Sequence, residues 1–413
     1  MDVGGGGEGG RRGLTVAAAG RLDSLLAERT EANRAFFEGR SEDVARCCHL
    51  MAERFARGGR LVALGSSPAA RSDVRHVAVE FVHPVIVGKR ALPAIGLSRE
   101  GGSLRTQADL IAEPDDIAIA FGTDEADAAE TVEALALAKG RGCQTISFSP
   151  CGAEWEFEPP SEDPFVRQEL AETLYHVLWE LVHVFFEHRG LLEGREAGPV
   201  HDTGASSFLY PFLSEGETGL EEVIEDVRSN VVMKAEEVGE LRERTITGSR
   251  EVLVSAAETL RSAFDRGGKA LVFGNGGSAT DSMDLVADLR AAPQGWPARR
   301  AIDLTEDPSI LTAIANDIGV EAIFLRQVIA YGREGDVAIA ISTSGNSVNL
   351  IEALGEARKR NLATIALVGY DGGRVADEDL ADHVIVTPSQ HIPRIQEAQA
   401  SAYHALRELI ELR

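Results

Sequence analysis

Ala270-Leu271-Val272-Phe273-Gly274-Asn275-Gly276-Gly277-Ser278 decides the fold of this 413-residue chain. Four apolar residues in a row, flanked by loop residues, read as a strand buried on both faces. The glycines that follow let the backbone turn tightly, and the next residues carry a helical pattern. The same grammar returns at Val337 to Ile341, followed by Ser342-Thr343-Ser344-Gly345-Asn346-Ser347. Strand, small-residue loop and helix start together make a phosphate cradle. Glycines admit the ligand close to the backbone, while hydroxyls and the N–H groups of a helix start supply donors to a dianion. Neither loop ends in Gly-Lys-Ser/Thr and neither is GxGxxG, so nucleoside triphosphate and dinucleotide fingerprints are both excluded.

The chain also resembles itself. Arg57-Gly58-Gly59 precedes Arg60 to Gly65 as Arg266-Gly267-Gly268 precedes Lys269 to Gly274, an offset of 209. Asp116 to Ala120 matches Asp336 to Ala340 at an offset of 220, and Gln168-Glu169 with Tyr175-His176 matches Gln396-Glu397 with Tyr403-His404 at 228. Collinear similarity over some two hundred residues marks a duplicated domain rather than a short solenoid repeat. Each copy alternates strand and helix, which predicts a parallel sheet covered by helices on both faces. In the second copy the predicted strands are Ala270 to Phe273, Val337 to Ile341, Thr364 to Val368 and His383 to Val386. The expected division is a disordered Gly-rich tail at 1–13, a first domain at 14–194, a linker rich in Gly, Pro and Ser at 195–219, and a second domain at 220–413.

A formal charge of −25 argues against a nucleic-acid or anionic-membrane partner. Cys47, Cys48, Cys143 and Cys151 have no CxxC spacing and read as reduced thiols. No apolar run approaches a membrane span, and a cytoplasmic protein is expected.

Read together, Gly274 to Ser278, Ala315-Asn316-Asp317, Tyr331 to Asp336, Ile341 to Ser347 and Arg394-Ile395-Gln396-Glu397 resemble the phosphoheptose isomerase family of sugar isomerase (SIS) domain proteins. The resemblance covers nearly all of residues 220–413. It implies an α/β fold of two tandem flavodoxin-like SIS domains, each a parallel sheet sandwiched by helices, the first of them degenerate. It further implies isomerisation of sedoheptulose 7-phosphate to D-glycero-D-manno-heptose 7-phosphate. Members of the family form tetramers, so a homodimer of this duplicated chain would rebuild a pseudo-tetramer of SIS domains.

Ser342, Thr343, Ser344 and Ser347 would then hold the phosphate, while Asn275, Gly276, Gly277, Ser278, Asn316, Asp317 and Gln396 contact the sugar. The family places a His and a Glu four residues apart on the helix after the glycine loop, and a Gln and a His eight apart on the final helix. Here the first pair is Asp284 and Asp288, and the second is Gln396 and His404. Asp288 is expected as base and His404 as acid, with a divalent metal held by Asp284, Asp288, Gln396 and His404. Zinc is the family's choice, and Mg²⁺ or Mn²⁺ suits the harder oxygen donors. The first copy keeps a second such set, His76, Glu80, Gln168 and His176, but its phosphate loop has become Gly122-Thr123-Asp124-Glu125-Ala126-Asp127, whose three carboxylates repel a phosphate. The shortened Asp side chains also admit a rival reading, a non-catalytic phosphosugar sensor or protein-binding scaffold.

Overall fold

A computed structural model describes residues 6–85, 89–123, 128–187, 219–292 and 295–412. It contains two five-stranded, all-parallel sheets. The first is built from β1 (Leu61–Leu64), β2 (Ala94–Leu97), β3 (Ile117–Ala120), β4 (Gln144–Ser147) and β5 (Trp155–Glu156), in the order β2-β1-β3-β4-β5. The second is built from β6 (Ala270–Gly274), β7 (Ala301–Asp303), β8 (Val337–Ser342), β9 (Ala363–Gly369) and β10 (His383–Thr387), in the order β10-β9-β8-β6-β7. Read from the other edge this is the same order, the flavodoxin-like one. All four strands expected in the second copy are present. The fifth, β7, is three residues long and lies at the sheet edge, too short to show a period.

The central strands are apolar throughout because both faces are covered. Val272, Ile339, Ile341, Ile365 and Leu367 pack with Leu285 and Leu406, whereas Phe273, Ala338, Ala340 and Val368 pack with Leu350 and Leu354. Each of the buried Val, Ile, Leu and Phe side chains among them contributes about 1.5–3 kcal/mol before entropy is counted.

The repeat is visible in its anchors. Asp116 accepts from Arg60 N at 2.8 Å and from Glu113 N at 2.9 Å. Asp336 accepts from Lys269 N at 3.0 Å and from Arg333 N at 2.9 Å. One buried carboxylate thus ties the start of the first strand to the start of the third in each sheet, satisfying backbone donors that strand pairing leaves over.

Compact units do not follow the duplication in a simple way. One comprises Met1–Glu31 with Glu237–Arg413, the other Ala32–Glu236. The first helix, Gly6–Ala56, sends Ala18, Leu22 and Leu25 into the core of the C-terminal sheet, while Phe36, Phe37 and Met51 join the core of the N-terminal one. The helix Leu220–Gly248 is shared in the opposite sense, with Val223, Val227 and Val231 in the N-terminal core. The described part of the predicted disordered tail, from Gly6 onward, is helical, carried by continuity with the anchored Leu22 and Leu25 turn. Residues 1–5 and 188–218 lie outside the described residues, and the latter take in all of the predicted linker 195–219 except Gly219. The four cysteines form no disulfide. No helix among the described residues is long and apolar enough to cross a membrane.

Candidate active site

In the C-terminal unit the two small-residue loops leave the ends of adjacent strands, β6 and β8. Gly274 closes β6, and a Cβ there would lie 2.3 Å from the Ser278 carbonyl oxygen, so no larger residue fits. Gly276 takes φ 57°, the left-handed region that glycine adopts freely, and caps the helix Gly277–Arg290. Asn275 and Asn349 exchange amide hydrogen bonds of 3.0 and 2.9 Å, which tie the glycine loop to the helix after the serine loop.

The serine loop is pre-shaped by its own hydroxyls. Ser342 Oγ accepts from Ser344 N at 3.3 Å and from Gly345 N at 3.1 Å, and Ser344 Oγ accepts from Asn346 N at 3.2 Å. Gly345 takes φ 64°, and a Cβ would meet the Gly372 carbonyl oxygen at 2.1 Å. Ser347 stands at the N-cap of the helix Val348–Lys359, yet its side chain makes no cap hydrogen bond. An N-cap serine ordinarily spends its hydroxyl on the helix. Here that oxygen is not spent on the helix, and Thr343 and Ser347 are both half-buried.

Asp284 and Asp288, one turn apart on the glycine-loop helix, meet His404 from the closing helix Ile392–Glu411. His404 Nε2 lies 3.3 Å from Asp284 Oδ2 and 3.3 Å from Asp288 Oδ2, and all three side chains are buried. Tyr403 donates its hydroxyl to Asp284 Oδ2 at 2.8 Å, and Arg407 donates Nε–H to the Asp288 carbonyl at 3.1 Å. Burial, then the charge of Asp284, pushes the Asp288 carboxyl up to about 6, against the opposing pull of His404. Two carboxylates and an imidazole this close are the makings of a proton-transfer centre. The donor atoms lie within 4.8 Å of one another, the spacing of ligands around one divalent cation, and their oxygen-rich character fits a hard ion. Gln396 is buried on the same helix.

Gln399 links this centre to the serine loop, donating Nε2–H to the Ser342 carbonyl at 3.1 Å. His404 follows five residues later, about 7.5 Å along the helix axis. Asn316 and Asp317 end the helix Pro308–Asp317, exposed, and Asn316 donates to Asp317 at 2.8 Å.

The N-terminal unit gathers its own set. His76 Nε2 lies 3.4 Å from His176 Nε2 and 3.9 Å from Glu80 Oε1, all buried. Burial, then His176, holds the His76 imidazole well below its ordinary value, keeping it neutral as a ligand must be. Gln168 donates to Asp73 at 3.2 Å. His76, Glu80 and His176 also lie close enough to share one cation. Of the acidic loop in this half, residues 124–127 lie outside the described residues.

Sequence reasoning passed over Tyr403, Asn349 and Arg407. A signal for Tyr403 was present, since Tyr175-His176 and Tyr403-His404 recur together in the two copies.

A family model described as the SIS domain matches residues 235–369. The chain is 43% identical over 195 residues to a phosphoheptose isomerase of Geobacter sulfurreducens, a match covering 46% of this chain and 98% of that relative. It is 42% identical over 176 residues to a phosphoheptose isomerase of a Roseiflexus species, covering 42% and 87%. Among solved structures, the C-terminal domain of a glucosamine-fructose-6-phosphate aminotransferase from Francisella tularensis superposes with a TM-score of 0.60 at 9% identity, over 94% of this chain and 93% of that one. That likeness concerns the fold alone.

Proposed function

The chain belongs to the phosphoheptose isomerase family of SIS-domain proteins, and we propose on that premise that its C-terminal unit isomerises sedoheptulose 7-phosphate to the aldoheptose 7-phosphate. The observation that carries the reading is the pairing of a hydroxyl-lined loop with a buried Asp–His–Asp centre in one unit. Ser342, Thr343, Ser344 and Ser347 bind the phosphate, aided by the N–H groups at the start of the following helix.

Moving a hydrogen between neighbouring carbons passes through an enediolate, which needs a base at the carbon and an acid at the oxygens. Asp288, with its raised carboxyl, takes the proton from one carbon and returns it to the neighbouring carbon. His404, between the two aspartates, delivers a proton to the developing alkoxide and takes one from the neighbouring hydroxyl as the new carbonyl forms. Tyr403 fixes Asp284, and Asp284 orients the imidazole. Burial excludes water and strengthens each of these interactions. Asn275 and Ser278 line the sugar beside the glycine loop, with Asn316, Asp317 and Gln396 completing its walls. A divalent cation bound by Asp284, Asp288, Gln396 and His404 would supply charge stabilisation to the enediolate oxygens. In the N-terminal unit His76, Glu80, Gln168 and His176 would hold a cation without a phosphate loop to accompany it. The assembly we propose is a homodimer, a pseudo-tetramer of four SIS domains, in the cytoplasm.

The test is turnover of sedoheptulose 7-phosphate by the purified chain, with and without added Zn²⁺, Mg²⁺ or Mn²⁺, alongside its thermal stability. Aldoheptose 7-phosphate formation is the expected result. Thermal stabilisation by the sugar phosphate with no product would replace the isomerase by a phosphosugar sensor.

A further inference from the structure

A cavity of about 490 Å³ opens in the C-terminal unit, lined by Asn346, Tyr370, Asp371, Pro388, Ser389 and Gln390. Tyr370 and Asp371 follow β9, while Pro388 to Gln390 follow β10. In the sheet order these strands lie on one side of β8, and β6, whose helix carries Asp284 and Asp288, lies on the other. The cavity therefore lies on the β9 and β10 side of the serine loop, shares only Asn346 with that loop, and is bordered by Pro388 to Gln390, which lead into the closing helix that carries Gln396 and His404. The roles proposed above leave it unused.

Its walls are held in place. Tyr370 takes φ 54°, a left-handed conformation rare for a bulky residue and kept only where surroundings enforce it. Its N–H donates to the Ser389 carbonyl at 3.1 Å, tying the two loops together. The Asn346 amide is pinned at both ends, donating to the Ser344 carbonyl at 2.9 Å and accepting from Arg374 N at 3.0 Å.

The lining is a phenol ring, a proline ring, two amides, a hydroxyl and a carboxylate, with no cation among them. Asp371 opposes a second phosphate or any other anion. Asn346, Asp371, Pro388 and Gln390 are exposed and Tyr370 and Ser389 half-buried, so a wholly apolar ligand would cover hydrated carboxylate and amide groups without replacing their hydrogen bonds. What satisfies both demands is a neutral polyhydroxylated molecule, its C–H face on the rings and its hydroxyls donating to Asp371 and bonding the amides. The volume lies within the range that ligand sites of small molecules occupy, roughly 300–1,000 Å³.

We propose that this cavity is a second carbohydrate subsite, one that binds a neutral sugar without using the phosphate loop. The β9 turn also clamps that loop, with Val375 N donating to the Gly345 carbonyl at 3.1 Å and Gly372 packed against Gly345.

The experiment is saturation-transfer NMR on the full chain with D-glucose, D-mannose and D-galactose as probes, inorganic phosphate being present in excess to fill the serine loop. At least one hexose should bind under these conditions. Asp371→Ala and the isosteric Asp371→Asn should each weaken it about tenfold or more at unchanged melting temperature, and Ser344→Asp should leave it intact. No hexose signal with phosphate-loaded protein, or equal loss in Ser344→Asp and Asp371→Ala, would overturn the proposal. Because the readout is binding of a neutral sugar, absence of phosphosugar turnover would defeat the isomerase reading and leave this one standing.

Discussion

In the mechanism proposed above, Asp288 concentrates the chemistry of the C-terminal unit in one carboxyl. Pushed up to about 6, it keeps its proton in the folded chain over a range where the unfolded chain, with an ordinary carboxyl near 4, has released it. The fold therefore loses stability as pH rises from about 4 to about 6, while turnover, which needs the carboxylate, is gained over the same interval. A kcat/KM profile with its acid limb near pH 6 is the expected result, and a limb near 4 would assign the base elsewhere. Asp288→Asn should lower kcat by about 10²–10⁴-fold with KM little changed, as steady-state kinetics would show. The Ser347 hydroxyl acts on the other term. Ser347→Ala removes a donor to a charged group, worth about 1.5–3 kcal/mol, and should raise KM by roughly ten- to a hundredfold. Asp284, Asp288, Gln396 and His404 could all be named because they stand at the positions where the resembled family carries its His–Glu and Gln–His pairs. That Tyr403 holds Asp284 could not, since the bond joins residues 119 apart in sequence.

At the level of elements, two features carry the site. Gly345 is fixed by its positive φ and by the Gly372 carbonyl, so Gly345→Ala should displace the serine loop and abolish phosphate protection of the melting temperature while leaving the sheet folded. The helix Gly6–Ala56 is the other. Leu25 is fully buried in the C-terminal core although it stands some 240 residues before it, so Leu25→Ala should cost about 2–5 kcal/mol in chemical denaturation of that unit. An effect within 0.5 kcal/mol would mean that this segment is not part of the C-terminal core. The helical stripes here were readable as packing surfaces. Which sheet each half-helix covers was not, because Ala18, Leu22 and Leu25 are apolar at helical spacing whichever core receives them.

For the molecule as a whole, the expected assembly is a homodimer, so light scattering in solution should give twice the 44.2 kDa mass of the chain. A monomer would remove the pseudo-tetramer. Sequence by itself determined the duplication, the parallel sheets and the two loops. Each of these is written in local order, as runs of apolar residues long enough for a doubly covered strand, glycines where the backbone must turn, and hydroxyls gathered before a helix start. The tertiary structure alone decided the exchange of helices between the compact units, the edge strand β7, the tyrosine and arginine behind the acidic centre, and the cavity on the β9 and β10 side of the serine loop. Those features depend on which distant surfaces meet, and burial and hydrogen bonding between segments hundreds of residues apart leave no periodic trace in the chain.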